Sequence, residues 1–238
     1  MIEKGRISAG QMTLLLFISL LGVTMATAPY LSAKWAKQDS WLTPVAAAAS
    51  GMVAYTLAYL LHRRFSGETV IQYCPRILGG FGKVIALLFL AYYIHAASFI
   101  TRIYTDVVSL IFLPQTPRMI LTAGMVFICA AAVRGGLETV ARSAQFLSIL
   151  AMGIFSAVTV LTTAEWETEN MFPILEHGAG PVVRGAAAMA STFNDFFLAA
   201  FFLPYLKKGG GVFRWGVIGV VGLMLVLMLF EFVIVFTL

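Results

Sequence analysis

Five ionisable side chains lie inside long apolar runs of this 238-residue sequence. They are His95, Arg102, Asp106, Asp195 and Glu231. A charged group surrounded by lipid is costly, so such residues usually pair, carry protons or bind a charged ligand. The acids fall in separate runs and no nucleophile stands beside a base, so the sequence does not predict an enzyme.

A polar stripe marks the third apolar run. His95, Ser98 and Arg102 are spaced by three and four residues, and Asp106 follows Arg102 by four, so all four share one face of a helix. We expect this face to point into the interior of a helix bundle. Arg102 and Asp106 form either a structural ion pair or a pair coupled to a mechanism. His95 either packs in the interior or serves as a ligand-binding or proton-relay group.

Two runs contain sequence that favours helix breaks. In the first, Gly22 to Pro29 combines glycine, two threonines and proline; in the sixth, polar residues from Ser191 to Asp195 precede Pro204. The simpler interpretation is a proline kink and a polar packing cluster. Paired interrupted helices in two inverted halves instead indicate the central site of a transporter. Asp195 could then cap freed amides, bind an amine or carry a proton.

Composition excludes an ordinary water-soluble domain. Hydrophobic residues make up 60% of the chain and charged residues 11%, and the mean hydropathy is +0.91, whereas soluble domains carry about 25% charged residues. The net charge of +5 fits basic loops beside anionic lipid, so no nucleic acid partner is predicted. The two cysteines predict neither a disulfide nor a metal site, and nothing implies a cofactor.

Seven runs are long enough to cross a bilayer core of about 30 Å. The predicted spans cover residues 11–33, 42–61, 82–113, 118–133, 144–163, 185–206 and 213–236, in one transmembrane domain over 1–238. Lys and Arg residues set the orientation, because they concentrate in cytoplasmic loops. A cytoplasmic N-terminus places eleven of them inside: Lys4, Arg6, Arg63, Arg64, Arg76, Lys83, Arg134, Arg142, Lys207, Lys208 and Arg214. It leaves four outside: Lys34, Lys37, Arg118 and Arg184.

Several short motifs occur together in the loops and in the sixth span. They are Ala36–Leu42, Phe65–Tyr73 with Ile77–Gly79, Thr116–Pro117, Arg134–Arg142, Phe172–Leu175, Phe193–Asp195 and Pro204–Lys208. In combination they resemble the B subunit of spore germinant receptors, which is the spore-permease family within the amino acid–polyamine–organocation transporters. The resemblance extends from Ile7 to about Arg214. Asn194 and Asp195 stand where the family often has glycine and glutamate, so the shape of the pocket is expected to differ.

The resemblance implies an all-α membrane protein with a LeuT-like inverted-repeat transporter fold, incomplete because seven of its ten transmembrane helices are present. It implies a nutrient site between broken helices 1 and 6 and helix 3. Carried over by position, the substrate-binding residues are Gly22, Val23, Thr24, Met25, Ala26, Thr27, His95, Ser98, Phe193, Asn194 and Asp195. The ligand's carboxylate is expected at exposed amides of the broken first helix, and its amine at Asp195.

The function implied is nutrient sensing, with an amino acid or similar small germinant as ligand. The implied partners are the germinant receptor A and C subunits and the lipid bilayer. The implied location is the bacterial cell membrane or the spore inner membrane. Two alternatives are a proton-coupled amino acid permease, in which Asp195 or His95 titrates, and a membrane scaffold that binds no ligand.

Overall fold

The computed structural model describes residues 5–207 and 209–237, and these form helices and loops without a β-sheet. The long helices are α1, Ala9–Ala36; α2, Thr43–Arg64; α3, Val70–Ile111; α4, Arg118–Arg134; α5, Leu137–Thr162; α6, Gly180–Asn194; and α8, Val212–Thr237. A short helix α7, Ala199–Phe202, and several 3-10 turns connect them. The described chain is therefore all-helical, as predicted.

Six stretches of the described residues are long and apolar enough to cross a membrane. They are Ala9–Thr27, Tyr30–Arg64, Val70–Ile111, Leu137–Glu165, Gly180–Tyr205 and Val212–Thr237. The predicted fourth span corresponds to α4, which is shorter at 17 residues. The count of seven spans and the inverted repeat remain predictions.

The first predicted helix break is wrong, because α1 runs without interruption from Ala9 to Ala36. Its threonines make local contacts that fit a helix: Thr24 Oγ1 donates to the Leu20 carbonyl at 2.6 Å, and Thr27 Oγ1 donates to the Val23 carbonyl at 3.0 Å. Helix-breaking residues are tolerated in membrane helices because neighbouring groups satisfy the backbone. The sequence Ser8-Ala9-Gly10-Gln11 predicts a capping box at the start of α1, and Ser8 and Gln11 form it.

The second predicted break is present. Helix α6 ends at Asn194, and the chain continues as a 3-10 turn from Asp195 to Leu198 before α7 begins. A further 3-10 turn, Leu203–Tyr205, contains Pro204. Asp195 thus lies at the change from α-helical to 3-10 geometry, where regular backbone hydrogen bonding changes.

Helix α3 bends sharply near its start. Gly79 has φ 57° and ψ −132°, a conformation that side-chain-bearing residues rarely adopt. Beyond it, Gly82 approaches the backbone of Cys74 so closely that a Cβ would lie 2.1 Å from the Cys74 carbonyl oxygen. Both glycines are therefore required by the bend, which separates the beginning of α3 from its long membrane segment.

Helices α1, α2, α6 and α8 pack tightly together, and we call them the packed group. Small residues allow their close approach. Gly216 of α8 faces the buried ring of Tyr55 in α2, and Gly51 of α2 lies against Phe193 in α6. The Tyr55 hydroxyl also donates to the Val212 carbonyl at 2.7 Å. These contacts form the main core of the protein.

Hydrogen bonds connect the ends of these helices on both sides of the bundle. At one side, Ile7 and Leu206 form a parallel bridge, in which the Ile7 amide donates to the Tyr205 carbonyl at 3.1 Å. At the other, the acidic connection after α5 covers the helix ends, and the Leu175 amide donates to Asp39 Oδ1 at 2.9 Å. Lys4 and Lys208, which the orientation argument uses, lie outside the described residues.

Candidate functional site

An open cavity of about 420 Å³ lies between α1, α3 and the interrupted end of α6. Its volume is within the range of about 300–1,000 Å³ that is typical of small-molecule sites. Its lining combines apolar walls with a few polar groups: Ser19, Leu20, Val23, Thr27, Leu31, Tyr92, His95, Ala96, Phe99, Ile100, Ser191, Thr192 and Asp195. We call this space the α1–α3–α6 cavity.

Asp195 provides the negative charge of this cavity. Its carboxylate accepts a hydrogen bond from the Tyr92 hydroxyl at 3.1 Å, which joins α3 to the end of α6. Among the described residues, no Lys, Arg or His forms an ion pair with it. A carboxylate without a cationic partner, in a largely apolar cavity, can bind a positively charged ligand group.

Aromatic contacts hold α3 beside the interrupted helix. Phe89 stacks on Phe197 with ring centroids 5.8 Å apart, and Tyr93 meets Phe201 edge-on at 5.2 Å. These long side chains bridge elements whose backbones are not closely packed. The wall of the cavity that α3 provides is therefore positioned by aromatic side chains rather than by tight helix packing.

Four of the predicted binding residues line the cavity: Val23, Thr27, His95 and Asp195. The other seven do not: Gly22, Thr24, Met25, Ala26, Ser98, Phe193 and Asn194. Thr24 and Phe193 are fully buried in helix packing, and Met25 packs against the core. Gly22, Ala26, Ser98 and Asn194 are exposed on other faces of their helices.

Only part of the predicted polar face of α3 lines the cavity. Ser98 is exposed and donates to the Ile94 carbonyl at 2.9 Å, so its hydroxyl is used within its own helix. Tyr92, which the sequence analysis missed, takes a place in the cavity instead. Tyr92 precedes His95 by three residues and Ala96 by four, and Ser19 precedes Val23 by four. This helical periodicity is the signal in the sequence that could have identified Tyr92 and Ser19 as lining residues.

The continuous α1 also changes what can bind an anion. Its amides between Gly22 and Thr27 lie within a regular helix, so they are not exposed as the predicted site for a ligand carboxylate. The His95 ring and the Thr192 hydroxyl remain as possible donors in the cavity, whereas the Ser191 hydroxyl donates to the Ala188 carbonyl at 3.2 Å within its own helix. The first helix therefore contributes a wall of the cavity, and the polar groups that can contact a ligand lie on α3 and α6.

Arg102 and Asp106 form the expected pair, with Nε and Oδ2 2.9 Å apart. Arg118, at the start of α4, approaches the other oxygen of Asp106 at 3.6 Å. The Arg102 side chain is 69% exposed, and neither residue of the pair lines the α1–α3–α6 cavity. This cluster joins α3 to α4.

A larger cavity of about 560 Å³ lies at the beginning of α1, beside Gln11, Gln145 and Trp215. Its lining groups include the basic residue Lys207 but no acidic residue and no histidine. The described residues also include no cluster of three His, Cys, Asp or Glu side chains that could hold a metal ion. The α1–α3–α6 cavity is therefore the stronger candidate for binding a positively charged group.

Comparisons with known proteins agree with the motifs. The family described as spore germination protein, the spore permeases, matches residues 6–238. From Bacillus subtilis, spore germination protein YndE is 22% identical over 90% of this chain and 60% of its own length. Spore germination protein KB is 24% identical over 91% of this chain and 58% of its own length. Spore germination protein A2 is 25% identical over 84% of this chain and 56% of its own length.

The chain thus spans less than two thirds of the length of these relatives. No solved structure shows significant similarity to it. The family match covers nearly all of the sequence, and the apolar helices fit a membrane protein. This chain belongs to the spore germination protein family of spore permeases.

Proposed function

We propose that this chain is the ligand-sensing subunit of a spore germinant receptor and binds an amino acid or similar small nutrient in the α1–α3–α6 cavity. The observation that carries the proposal is Asp195, an acidic side chain at the interrupted end of α6 that forms no ion pair among the described residues. Tyr92 supports its position by a hydrogen bond. Membership of the spore germination protein family supports a role in germination.

The amine of the ligand would meet the Asp195 carboxylate. Such a charge-assisted contact is stronger than a hydrogen bond between neutral groups. The carboxylate of the ligand would be held by His95 or by the hydroxyl of Thr192, which belong to the same cavity. Val23, Ala96 and Phe99 would surround its side chain.

Family membership also supports a proposal about the wider assembly. We propose a LeuT-like inverted repeat for the fold, and receptor A and C subunits as partners in the spore inner membrane. Ligand binding would shift the equilibrium between two arrangements of α3 and α6, because only differential affinity for two states can transmit a signal. The weakly packed α3 is suited to such a shift, since few close backbone contacts hold it to α6.

The direct test is binding to the purified chain in lipid nanodiscs. Each of the twenty L-amino acids is added separately, and the thermal unfolding midpoint is measured. We expect at least one amino acid to raise the midpoint in a saturable manner. Asp195→Asn should abolish this rise, whereas Glu165→Gln, which neutralises an exposed acidic residue outside the cavity, should preserve it.

Uptake distinguishes sensing from transport. In proteoliposomes, a sensor that binds the labelled amino acid should show no accumulation above that of empty vesicles. Accumulation driven by a proton gradient would identify a permease with the same cavity and overturn the sensor proposal. Absence of any thermal shift with all twenty amino acids would contradict amino acid binding and favour the scaffold.

A further inference from the structure

Glu231 is a buried carboxylate outside the α1–α3–α6 cavity. It lies in α8, near the end where α1 and the 3-10 turn Lys37–Leu42 pack against that helix, and only 1% of its surface is exposed. A carboxylate in such a place is retained only when its charge is compensated or removed. The proposed function assigns no role to Glu231.

Hydroxyl groups surround the carboxylate. Ser32 Oγ donates a hydrogen bond to Glu231 Oε1, and the hydroxyl of Ser40 also interacts with the carboxylate. Ser32 and Ser40 are themselves buried. The second oxygen, Oε2, is buried and has no hydrogen-bond partner of normal geometry among the described residues. Three oxygen-bearing side chains therefore converge where one acceptor remains unsatisfied.

No positive side chain neutralises this group. Among the described residues, Glu231 takes part in no ion pair. Lys34 lies near the aromatic rings of its own helix, and Lys37 is exposed. The acidic neighbour in the 3-10 turn, Asp39, accepts the amide of Leu175 and adds no positive charge. The charge of an ionised Glu231 is thus left uncompensated by the part of the chain that the structure describes.

Protonation alone does not resolve the arrangement. A proton on Oε2 would be a buried donor without an acceptor among the described residues, and a proton on Oε1, donated to Ser32, would leave Oε2 without a hydrogen-bond donor. A bound cation would neutralise the charge and satisfy Oε2 at once. One carboxylate with neutral hydroxyl oxygens matches a hard ion of single charge, because such ions prefer oxygen ligands and the net charge then becomes zero.

We propose that Glu231, together with Ser32 and Ser40, binds a small monovalent alkali cation such as Na⁺. The site joins α1, α8 and the turn between α1 and α2, so an ion there would fix the relative position of these elements. An open cavity of about 230 Å³ borders Ser40 as well as Ile234 and Val235, one turn beyond Glu231, so an ion would enter from this side. Lys37 also borders this cavity, but its exposure allows water and salt to screen its charge.

The test measures the thermal unfolding midpoint of the full chain in nanodiscs at constant pH and ionic strength, while NaCl replaces choline chloride. We expect a saturable rise with Na⁺ for the unsubstituted chain. Glu231→Gln, which keeps the shape of the side chain and removes its charge, should lose the rise. Glu165→Gln removes an exposed carboxylate and should keep it.

A second variant keeps the proposal testable if Glu231→Gln does not fold. Ser40→Ala should raise the Na⁺ concentration for half of the effect by about tenfold, because it removes one oxygen ligand. The proposal is overturned if the unsubstituted chain shows no Na⁺ dependence, if Ser40→Ala responds identically to it, or if a folded Glu231→Gln retains the full response. A midpoint that changes with pH but not with Na⁺ would assign Glu231 to proton binding alone and would also overturn it. The experiment does not depend on the proposed nutrient function.

Discussion

The packed group and α3 differ sharply in how they are held. In their most apolar windows, 44% of α1 and 39% of α8 are buried within the protein, whereas only 6% of α3 is buried. Glycines allow close contact in the packed group, while aromatic side chains and one hydrogen bond connect α3 to the end of α6. The α1–α3–α6 cavity lies between these two regions.

This contrast indicates that the packed group provides stability and that α3 contributes to ligand binding. Local stability is high where many buried contacts are made and low where few exist. We therefore expect substitutions in the packed group to change the free energy of unfolding, and substitutions on the cavity face of α3 to change ligand binding. Four variants test this expectation, from the largest predicted effect to the smallest.

Gly216→Ala should cause the largest loss of stability. A Cβ at this position would lie 1.8 Å from the ring of Tyr55, so α2 and α8 must separate or the buried ring must move. We expect a loss of about 2–3 kcal/mol, which is typical of overpacking. The free energy of unfolding can be measured by titration with SDS in mixed micelles.

Gly222→Ala is the matched control, since nothing lies within 4 Å of its added methyl group in the same helix. It should leave the protein unchanged or stabilise it by up to about 1 kcal/mol, the helix-propensity difference. Equal destabilisation by both variants would show that helix α8, rather than the contact with α2, responds to the methyl group.

Phe193→Ala should cost about 2 kcal/mol. Phe193 is completely buried beside Gly51, and its removal leaves a cavity between α2 and α6. In a membrane the apolar transfer contribution is small, so the expected loss comes from the missing packing contacts. Phe127→Ala on α4, where the ring is 75% exposed, should change the free energy of unfolding by less than about 0.5 kcal/mol. Similar losses of unfolding free energy for the two variants would refute the contrast between the packed group and the exposed helices.

Tyr92→Phe should separate binding from stability. It removes the hydrogen bond to Asp195, and we expect the affinity for the amino acid to fall by about three- to tenfold. The free energy of unfolding should change by less than about 1 kcal/mol, because α3 is weakly packed. Titration calorimetry and SDS titration measure the two quantities. Tyr104→Phe, on the same helix and without a cavity contact, should alter neither; an unchanged affinity in Tyr92→Phe would remove the tyrosine from the site.

Arg102→Ala should have the smallest effect. The guanidinium is largely exposed, and Asp106 keeps Arg118 as a second basic neighbour. Exposed pairs at this helical spacing contribute about 0.3–0.5 kcal/mol. A loss above about 2 kcal/mol in SDS titration would show that the pair is shielded from water, which would contradict its exposed position on α3.

Features that depend on a few neighbouring residues could be predicted from the sequence. The capping box of Ser8 and Gln11 formed as expected because its contacts lie within one turn. The change of geometry at Asp195 was also signalled by nearby polar residues. The predicted break in α1 was wrong, because the hydroxyls of Thr24 and Thr27 form hydrogen bonds within the helix and α1 continues.

The orientation of the cavity residues required three-dimensional information. Spacing placed His95 and Ser98 on a common face, but only the docking of α3 decides which part of that face meets Asp195. The aromatic contacts of Tyr93 and Phe89 set that docking, and they bring Tyr92 rather than Ser98 towards the site. Contacts between residues about a hundred positions apart cannot be read from local periodicity.

The most direct test of the α1–α3–α6 cavity is chemical access to single cysteines in membranes. In a Cys129→Ser background, Thr27→Cys and Ser98→Cys are treated with a small charged methanethiosulfonate reagent, with labelling of the parent subtracted. We predict that Thr27→Cys reacts and is protected by the amino acid that raises the unfolding midpoint, whereas the reaction of Ser98→Cys is unaffected by it. Protection at Ser98→Cys together with an unprotected Thr27→Cys would contradict the proposed site.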